Sequence, residues 1–532
     1  SLHDALPICV PAGQESQRAA RLDIDLSGQA WTVNGQLVGE GKGGNPYAPD
    51  RSHHFPLESQ KNTVSAQLFQ KAATDVGYKP YNLPSANTSG PYTNPYGAQM
   101  GPCNFCGFCS GYACYMYSKA SPNVNILPAL RQEKRFELRT NANVLKVNLT
   151  DDKSRATGVT YVDGQGREME QPADLVIIGA FQFHNVHLML LSGIGKPYDP
   201  VSNTGTVGKN FAFQNMATIK VFFGKDQHHT NNFIGAGGNG IAVDDFNADN
   251  FDHGAAGFVG GSPFWVNQAG TKPISGLPVP PGTPAWGSKW KSAVADTYTH
   301  HLSMDAHGAH QSYRQNYLDL DPNYKNVFGQ PLLRMTFDWQ PNDIKMNLFM
   351  QDKLGTVARV MGGKAVGVYG NKEGTHFDMR SYQTTHLNGG AIMGTDPRTS
   401  AVNRYQQSWD VHNVFSLGAS SFPQGLGYNP TGLVAALAYW TARAIRQETL
   451  EAVTLMLYPI VPHVCEELWQ RLGHGTALSC ELLPALTELA GFDLNRDAVM
   501  LGTQGPDVFF FHRIAPWMPG RSQRKIGSRL HR

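Results

Sequence analysis

The segment PADLVIIGAFQFHNVHLMLLSGIG, residues 172–195, constrains the fold more than any other part of this chain. Its short apolar run suits a buried strand, the glycine at 179 suits a turn, and the apolar stretch that follows suits a helix. Such a unit is one βα step of a doubly wound sheet. Farther along, residues 216–375 mix strand patterns with Gly- and Pro-rich loops, which predicts an antiparallel sheet over a pocket. The expected fold class is therefore α/β (α+β).

Length and charge limit the classes of function. The 532 residues suffice for two to four domains. A net charge of +2 argues against a dedicated nucleic-acid-binding protein, and no apolar run reaches membrane-spanning length. The chain starts SLHDALPICVPAG, with neither an initiator Met nor a signal-peptide pattern, so we expect it to be a fragment.

The stretch NNFIGAGGNGIAV raises the question of a dinucleotide site, because Gly235, Gly237 and Gly240 match G-x-G-x-x-G. A working fingerprint opens a helix whose free N–H groups bind the pyrophosphate. The residues that follow, IAVDDFNADNFDHG, are rich in Asp, Asn and Gly and do not predict such a helix. We therefore interpret the stretch as a flexible loop of the pocket roof.

Four of the seven cysteines lie in one run, GPCNFCGFCSGYAC. Cys103, Cys106, Cys109 and Cys114 have the spacing C-x2-C-x2-C-x4-C, which suits an iron–sulfur cluster. Disulfides and a zinc ion are the alternatives, because spacing alone does not separate the three.

A second metal hypothesis concerns the histidines of HHLSMDAHGAH, which are His300, His301, His307 and His310. No partner carboxylate accompanies them in a recognised metal-binding arrangement. We interpret them as residues of the pocket wall or the surface.

The segment HLNGGAIMGTDPRTSAVNRYQQSWDVHNVFSLGASSFPQGLGYNPTGLVAALAYWTARAI resembles the glucose–methanol–choline oxidoreductases. Together with GAFQFHNVHLMLLSGIG and TVGKNF, it extends the resemblance over residues 30–447. The gluconate and sugar dehydrogenase flavoprotein subunits are the members it resembles most. The resemblance implies bound FAD and oxidation of a small-molecule alcohol, sugar or polyol at its CH–OH group.

Two residues match the catalytic positions of that family. His386, in HLNGG, matches the histidine that takes the hydroxyl proton, and an imidazole has a suitable pKa for a base near neutral pH. Asn429, in GYNPTG, matches the position that hydrogen-bonds the same oxygen. The positions matched to FAD-contacting residues are Val144, Gly418, Ala419, Ser420, Pro430 and Thr431. We also expect Thr431 to cap a helix that starts just after Pro430.

The resemblance lacks one part of the family pattern. Members open with a strand, G-x-G-x-x-G and a helix, and this unit is absent from the sequence. We therefore expect an incomplete FAD-binding domain, and a chain inactive for lack of the fingerprint is the alternative to an active dehydrogenase. The resemblance further implies a cytochrome or quinone as electron acceptor, a small subunit as partner, and peripheral attachment at the periplasmic side of the inner membrane.

The carboxyl-terminal part resembles a different family. LEAVTLMLYPIVPHVCEELWQRLGHG is similar to the anticodon-binding helical domain of leucyl-tRNA synthetase, but the HIGH and KMSKS signatures are missing. A tRNA-binding fragment is therefore the alternative function, and we expect the junction to be chimeric or misassembled.

The predicted organisation is an unassigned segment (1–30), a partial FAD-binding domain (31–215) with a cysteine-rich loop (101–122), a substrate-binding domain (216–375), an active-site and FAD segment (376–447), a synthetase-like helical fragment (448–478) and an unassigned basic tail (479–532).

Overall fold

The structure is a computed structural model. It describes residues 44–48, 55–109, 112–237, 240–266, 276–381, 385–457 and 462–473. The chain divides into two compact units, Ser1–Ala438 and Tyr439–Arg532. The unassigned segments predicted at 1–30 and 479–532 lie outside the described residues. Within the described ranges, no helix combines the length and apolar character needed to span a bilayer.

The regular elements are named in chain order. The helices are α1 (Val64–Asp75), α2 (Pro122–Asn125), α3 (Leu127–Leu130), α4 (Gln182–Ser192), α5 (His253–Ala256), α6 (Ser288–Thr297), α7 (Pro341–Met361), α8 (Thr431–Leu457) and α9 (Pro462–Arg471). The strands are β1 (Pro80–Asn82), β2 (Tyr92–Thr93), β3 (Gln99–Met100), β4 (Asn143–Leu149), β5 (Ala156–Val162), β6 (Glu168–Pro172), β7 (Val176–Ile178), β8 (Asn215–Phe222), β9 (Ile241–Val243), β10 (Phe264–Val266), β11 (His301–Gly308), β12 (Tyr317–Lys325), β13 (Pro331–Thr336), β14 (Ala365–Tyr369), β15 (Met393–Gly394), β16 (Val402–Asn403) and β17 (Val414–Ser416).

The predicted antiparallel sheet is confirmed. Six strands pair antiparallel in the order β1-β9-β10-β11-β8-β14. Strand β1 lies far upstream of residue 216 and still pairs into this sheet. The sequence predicted that all strands of the sheet lie between residues 216 and 375, so it missed β1. Apolar residues recur along α7 at helical spacing, and Met346, Met350, Leu354 and Val357 are fully buried in one core with the sheet.

The opposite side of this sheet, which we call the pocket face, carries polar and aromatic side chains. Alternation along a strand sends Ile241 and Val243 into the core and Ala242 to the other face. Register then places one cross-strand row on the pocket face: Tyr81, Ala242, Trp265, Asp305 and Thr218.

The predicted βα step is confirmed as β7 followed by α4. Strand β7 pairs in parallel with β17, which comes from more than 200 residues downstream. Helix α4 ends at Gly193, whose φ of 68° is a left-handed conformation that glycine adopts without strain. Val176, Val186 and Val414 join these elements in a second core. Among the described residues the doubly wound part is thus a two-stranded parallel pair.

The carboxyl-terminal helices differ from the prediction at two residues. Helix α8 begins at Thr431, and the Pro430 carbonyl accepts the Val434 N–H at 2.9 Å. Thr431 is therefore the first helical residue, and the prediction that it caps the helix is wrong. The resemblance to the synthetase implies that Trp469 and Leu468 both pack inside a helical bundle. Helix α9 begins at Pro462 and buries Trp469, whereas Leu468 is 41% exposed, so the expectation for Leu468 is wrong.

Candidate active site

The His386 loop and the Gly418–Ser420 segment are joined by their main chains. The Gly389 N–H donates to the Ala419 carbonyl at 2.9 Å, and the Ala391 N–H donates to the Ser420 carbonyl at 3.0 Å. These bonds bring together two groups of residues that the sequence had placed in one site from separate motifs.

Asn185, on α4, holds the same segment to the end of β7. Its side chain is fully buried. Its Nδ2 donates to the Leu417 carbonyl at 2.6 Å and to the Ser420 Oγ at 2.9 Å, while its Oδ1 accepts the Ala180 N–H at 2.7 Å. One amide therefore ties the carboxyl ends of both parallel strands to the start of a helix.

Open space adjoins those strand ends. A Cβ added at Gly179 would meet no atom within 4 Å, and one added at Gly418 would meet only the Asn185 Nδ2 at 3.8 Å. Ligands of α/β proteins bind outside the carboxyl ends of parallel strands, where helix N-termini also face. In addition, the Gln182 Oε1 nearby is buried without a partner. These features fit a cofactor that offers a hydrogen-bond donor, as the flavin of FAD does.

His386 is oriented by Gln214, which lies just before β8. The His386 Nδ1 and the Gln214 Oε1 form a short hydrogen bond. An amide oxygen accepts, so the proton sits on Nδ1 and the Nε2 lone pair is available as a base. Burial lowers the pKa of His386 to about 4, so the ring is neutral near pH 7. His386 also has a φ of 61°, an uncommon conformation for a residue other than glycine, asparagine or aspartate.

The Asn429 segment docks on the end of β11. His310 and Gly425 exchange two backbone hydrogen bonds, of 3.0 and 2.8 Å. A Cβ at Gly427 would lie 2.9 Å from the Pro263 Cδ and 3.1 Å from the His307 carbonyl oxygen, so glycine suits this close approach. The ring of His307 is in turn 5.3 Å from that of His386, centroid to centroid. Both candidate catalytic residues thus lie on segments that converge at His307, and the Asn429 side chain is exposed.

A partly buried polar cluster anchors Tyr428, the neighbour of Asn429. The Tyr428 hydroxyl forms a short hydrogen bond with that of Tyr81 on the pocket face. Asn45 Nδ2 donates to the Asp244 Oδ2 at 2.6 Å and to the Tyr428 hydroxyl at 3.3 Å. Burial raises the pKa of the Asp244 carboxyl and that of the Tyr428 phenol.

The remaining residues matched to FAD positions are spread more widely. Pro430 is buried, and Thr431 is exposed at the first turn of α8. Val144 is 39% exposed on β4, in the separate three-stranded sheet β4-β5-β6. The assignment of Val144 to the cofactor stays a prediction.

The glycine stretch around Gly235 packs against the cysteine run. Gly107 and Gly235 share a hydrogen bond of 3.0 Å, and a Cβ at Gly237 would lie 2.6 Å from the Cys109 Cβ. Strand β9, and not a helix, follows at Ile241. These glycines therefore permit close packing of two loops, and the pattern lacks the helix that a dinucleotide site requires.

The four clustered thiols are free and partly exposed. The Asn87 Nδ2 lies 3.5 Å from the Cys109 Sγ, and the same side chain hydrogen-bonds Cys103. Across the described part of the chain, no group of three or more His, Cys, Asp or Glu side chains is placed to hold a metal ion. The thiols as arranged do not fit a cluster, and the iron–sulfur hypothesis stays a prediction.

The four histidines of HHLSMDAHGAH occupy separate environments. His300 contacts His229, and His301 stacks on Phe222. His310 is fully buried, with its Nε2 3.3 Å from the Asp343 Oδ2. His307 lies against Trp265 and His386 on the pocket face, so this one histidine belongs to the candidate active site.

Sequence reasoning missed two residues that shape the candidate site, Gln214 and Asn185. Gln214 and Asn185 carried no motif of their own, although Asn185 lies inside the recognised βα step. Gln214 is 172 positions from His386, and a single sequence contains no signal that pairs them.

Comparisons with known proteins show two kinds of similarity along this chain. Models of the GMC oxidoreductase family match residues 58–216 and 312–438, and a model of the anticodon-binding domain of tRNA ligase matches 433–501. The gluconate 2-dehydrogenase flavoprotein of Pantoea cypripedii is 73% identical over 425 residues, which are 80% of this chain and 69% of that protein. The fructose dehydrogenase large subunit of Gluconobacter japonicus is 24% identical over 75% of this chain and 69% of that one. At the tail, a leucine–tRNA ligase of Nitrosococcus oceani is 64% identical over 36 residues, 7% of this chain and 4% of that ligase.

Proposed function

This chain belongs to the GMC oxidoreductase family, and on that premise we propose that it is an FAD-dependent dehydrogenase of a sugar, sugar acid or polyol. The observation that carries the proposal is the neutral His386, oriented by Gln214 and joined through its loop to the Gly418–Ser420 segment. The names of the gluconate and fructose enzymes support a polyhydroxylated substrate.

His386 acts as the general base. Its Nε2 takes the proton of the substrate hydroxyl, and the charge that develops on the imidazole is stabilised by the Nδ1 bond to Gln214. Bound FAD would supply the acceptor for the hydride of the carbinol carbon. Gly418, Ala419, Ser420 and Pro430 are the residues that would hold it.

Asn429 and the pocket face position the substrate. The amide of Asn429 is exposed at the end of a segment fixed by Tyr428 and Gly427, so it can hydrogen-bond the reacting oxygen. Trp265 offers an aromatic surface for the carbon skeleton of a sugar. Holding the substrate in one orientation lowers the entropic part of the barrier.

We also propose a cytochrome or quinone as the electron acceptor, with a small subunit as partner, at the periplasmic side of the inner membrane. Support for a partner subunit comes from the name of the fructose dehydrogenase large subunit, which describes one part of an assembly. No step of this proposal depends on an iron–sulfur cluster. For the tail we propose no aminoacylation, because the match to leucine–tRNA ligase covers 4% of that enzyme.

The proposal predicts a yellow protein whose colour responds to substrate. Purified full-length chain, reconstituted with FAD, is expected to show the flavin absorbance bands and to lose them when D-gluconate or another polyol is added without oxygen. A colourless protein that takes up no FAD would contradict the proposal and favour an inactive chain. A brown shoulder in the same spectrum, with bound iron, would establish the iron–sulfur cluster, and peroxide production in air would indicate an oxidase instead.

On the acid side, kcat/KM is expected to fall only at low pH; the pH of this fall is called the acid limit. The base must be neutral, and burial holds the pKa of His386 at about 4, so kcat/KM should stay high down to pH 5 and fall only as pH drops through about 4. Gln214→Glu, which sets a negative charge beside Nδ1, favours the protonated ring and should move this limit to higher pH. An acid limit near 6.5 in the unmodified chain would contradict the assignment of His386.

A further inference from the structure

His307 is a buried imidazole without a conventional hydrogen bond. Its side chain is 8% exposed. Its Nδ1 is buried with no partner, and only burial and the neighbouring His386 influence its ionisation. Burying a polar group without a hydrogen bond destabilises the folded protein. Such a group in an enzyme calls for a reason other than stability.

The surroundings of His307 place it beside the proposed base, on the pocket face of the sheet. Its ring meets that of Trp265 edge-on at 4.0 Å and lies 5.3 Å from the ring of His386. His386 already has Gln214 as its orienting partner, so His307 is not needed for that role. The carbonyl of His307 also meets Gly427, on the segment that carries Asn429.

We infer that His307 binds the substrate hydroxyl on the carbon next to the one that is oxidised. This inference rests on the proposed function and deepens it. Two imidazoles side by side in one pocket suit two neighbouring hydroxyl groups: His386 takes the proton of the reacting one and His307 hydrogen-bonds the other. The pocket would therefore select vicinal diols over isolated alcohols.

The charge state favours a hydroxyl over a carboxylate at this position. Burial first, and then the neighbouring His386, lower the pKa of His307 well below its usual range. A neutral imidazole has one donor and one acceptor, which matches a hydroxyl, whereas a carboxylate would need a cation. Trp265 and the peptide groups around Gly427 add no positive charge.

The test compares D-gluconate with 3-deoxy-D-gluconate, which lacks the hydroxyl beside carbon 2, in full-length chain loaded with FAD. Equilibrium binding is measured by calorimetry under conditions without turnover, and kcat and KM are measured separately. In the unmodified chain we expect D-gluconate to bind about 10–100-fold more tightly than the deoxy compound. His307→Phe should abolish this preference through weaker binding of D-gluconate, with the deoxy compound nearly unaffected.

Two further variants separate recognition from folding. His307→Gln retains a donor and an acceptor and should recover part of the preference, whereas His300→Phe, just before the start of β11, should leave it unchanged. Equal binding of the two compounds by the unmodified chain, no binding of D-gluconate at all, or a preference that survives in His307→Phe would overturn the inference. If no alcohol reduced the bound flavin, the proposed function would be wrong. The calorimetric comparison of the two compounds would still decide whether His307 binds a hydroxyl group.

Discussion

His386→Ala is expected to lower the rate of flavin reduction by about 10²–10⁴-fold, the usual contribution of a positioned general base. His386 presents a neutral imidazole whose Nδ1 is bonded to Gln214, so removal of the ring eliminates the proton acceptor. Flavin content should not change, because the loop contacts Ala419 and Ser420 through the main chain of Gly389 and Ala391. Anaerobic single-turnover measurements of flavin absorbance provide the rate.

The matched control for this change is His412→Ala. His412 is an exposed histidine of the same carboxyl-terminal region, and its loss should leave the rate within twofold. If His386→Ala reduced the flavin at the rate of the unmodified chain, the assignment of the base would be wrong. Lost flavin would instead indicate a structural role for the His386 loop.

Asn185→Ala is expected to lower the free energy of unfolding by about 3 kcal/mol. The change removes one fully buried amide and leaves the Leu417 carbonyl and the Ala180 N–H without partners, while the Ser420 hydroxyl keeps only a 3.5 Å contact with the Ser416 Oγ. Each unsatisfied buried group costs about 1–3 kcal/mol, reduced where water enters the space left by the side chain. Urea unfolding of the full-length chain, followed by fluorescence, measures the change.

Asn323→Ala is the control for this stability effect. Asn323 is an exposed asparagine on β12, so its replacement should change stability by less than about 0.5 kcal/mol. A loss below about 1 kcal/mol in Asn185→Ala would show that the amide does not hold β7, β17 and α4 together. Weaker FAD binding should accompany the loss of stability, because the same bonds shape the open ends of both strands.

Local patterns predicted much of the fold. The βα step appears as β7 and α4, and the segment NDIKMNLFMQDKLGTVARVMG, whose pattern predicts a helix, appears as α7. Each of these patterns depends on residues only a few positions apart. The prediction for Thr431 failed by one position, since Pro430 already accepts the first helical hydrogen bond. The predicted start of the antiparallel sheet at residue 216 was wrong, because β1 pairs into that sheet from far upstream.

The glycine stretch shows where a pattern is ambiguous. Glycines permit a close approach of any atom to the backbone, whether that atom belongs to a phosphate or to another loop. The sequence alone weakened the phosphate interpretation, since no helix was predicted to follow. Only the packing of Gly237 on Cys109 identified the loop that makes the close approach.

By itself the sequence determined the family, the candidate base His386 and its companion Asn429, because these residues lie in continuous motifs. Tertiary structure alone decided which groups surround them. Gln214 contacts His386 from 172 positions away, and Asn185 contacts Leu417 from 232 positions away. His307 lies beside His386, which is 79 positions downstream. Such contacts depend on sheet register and helix docking, which no local pattern encodes. The selectivity proposed for His307 is for that reason a property of the folded pocket and not of any motif.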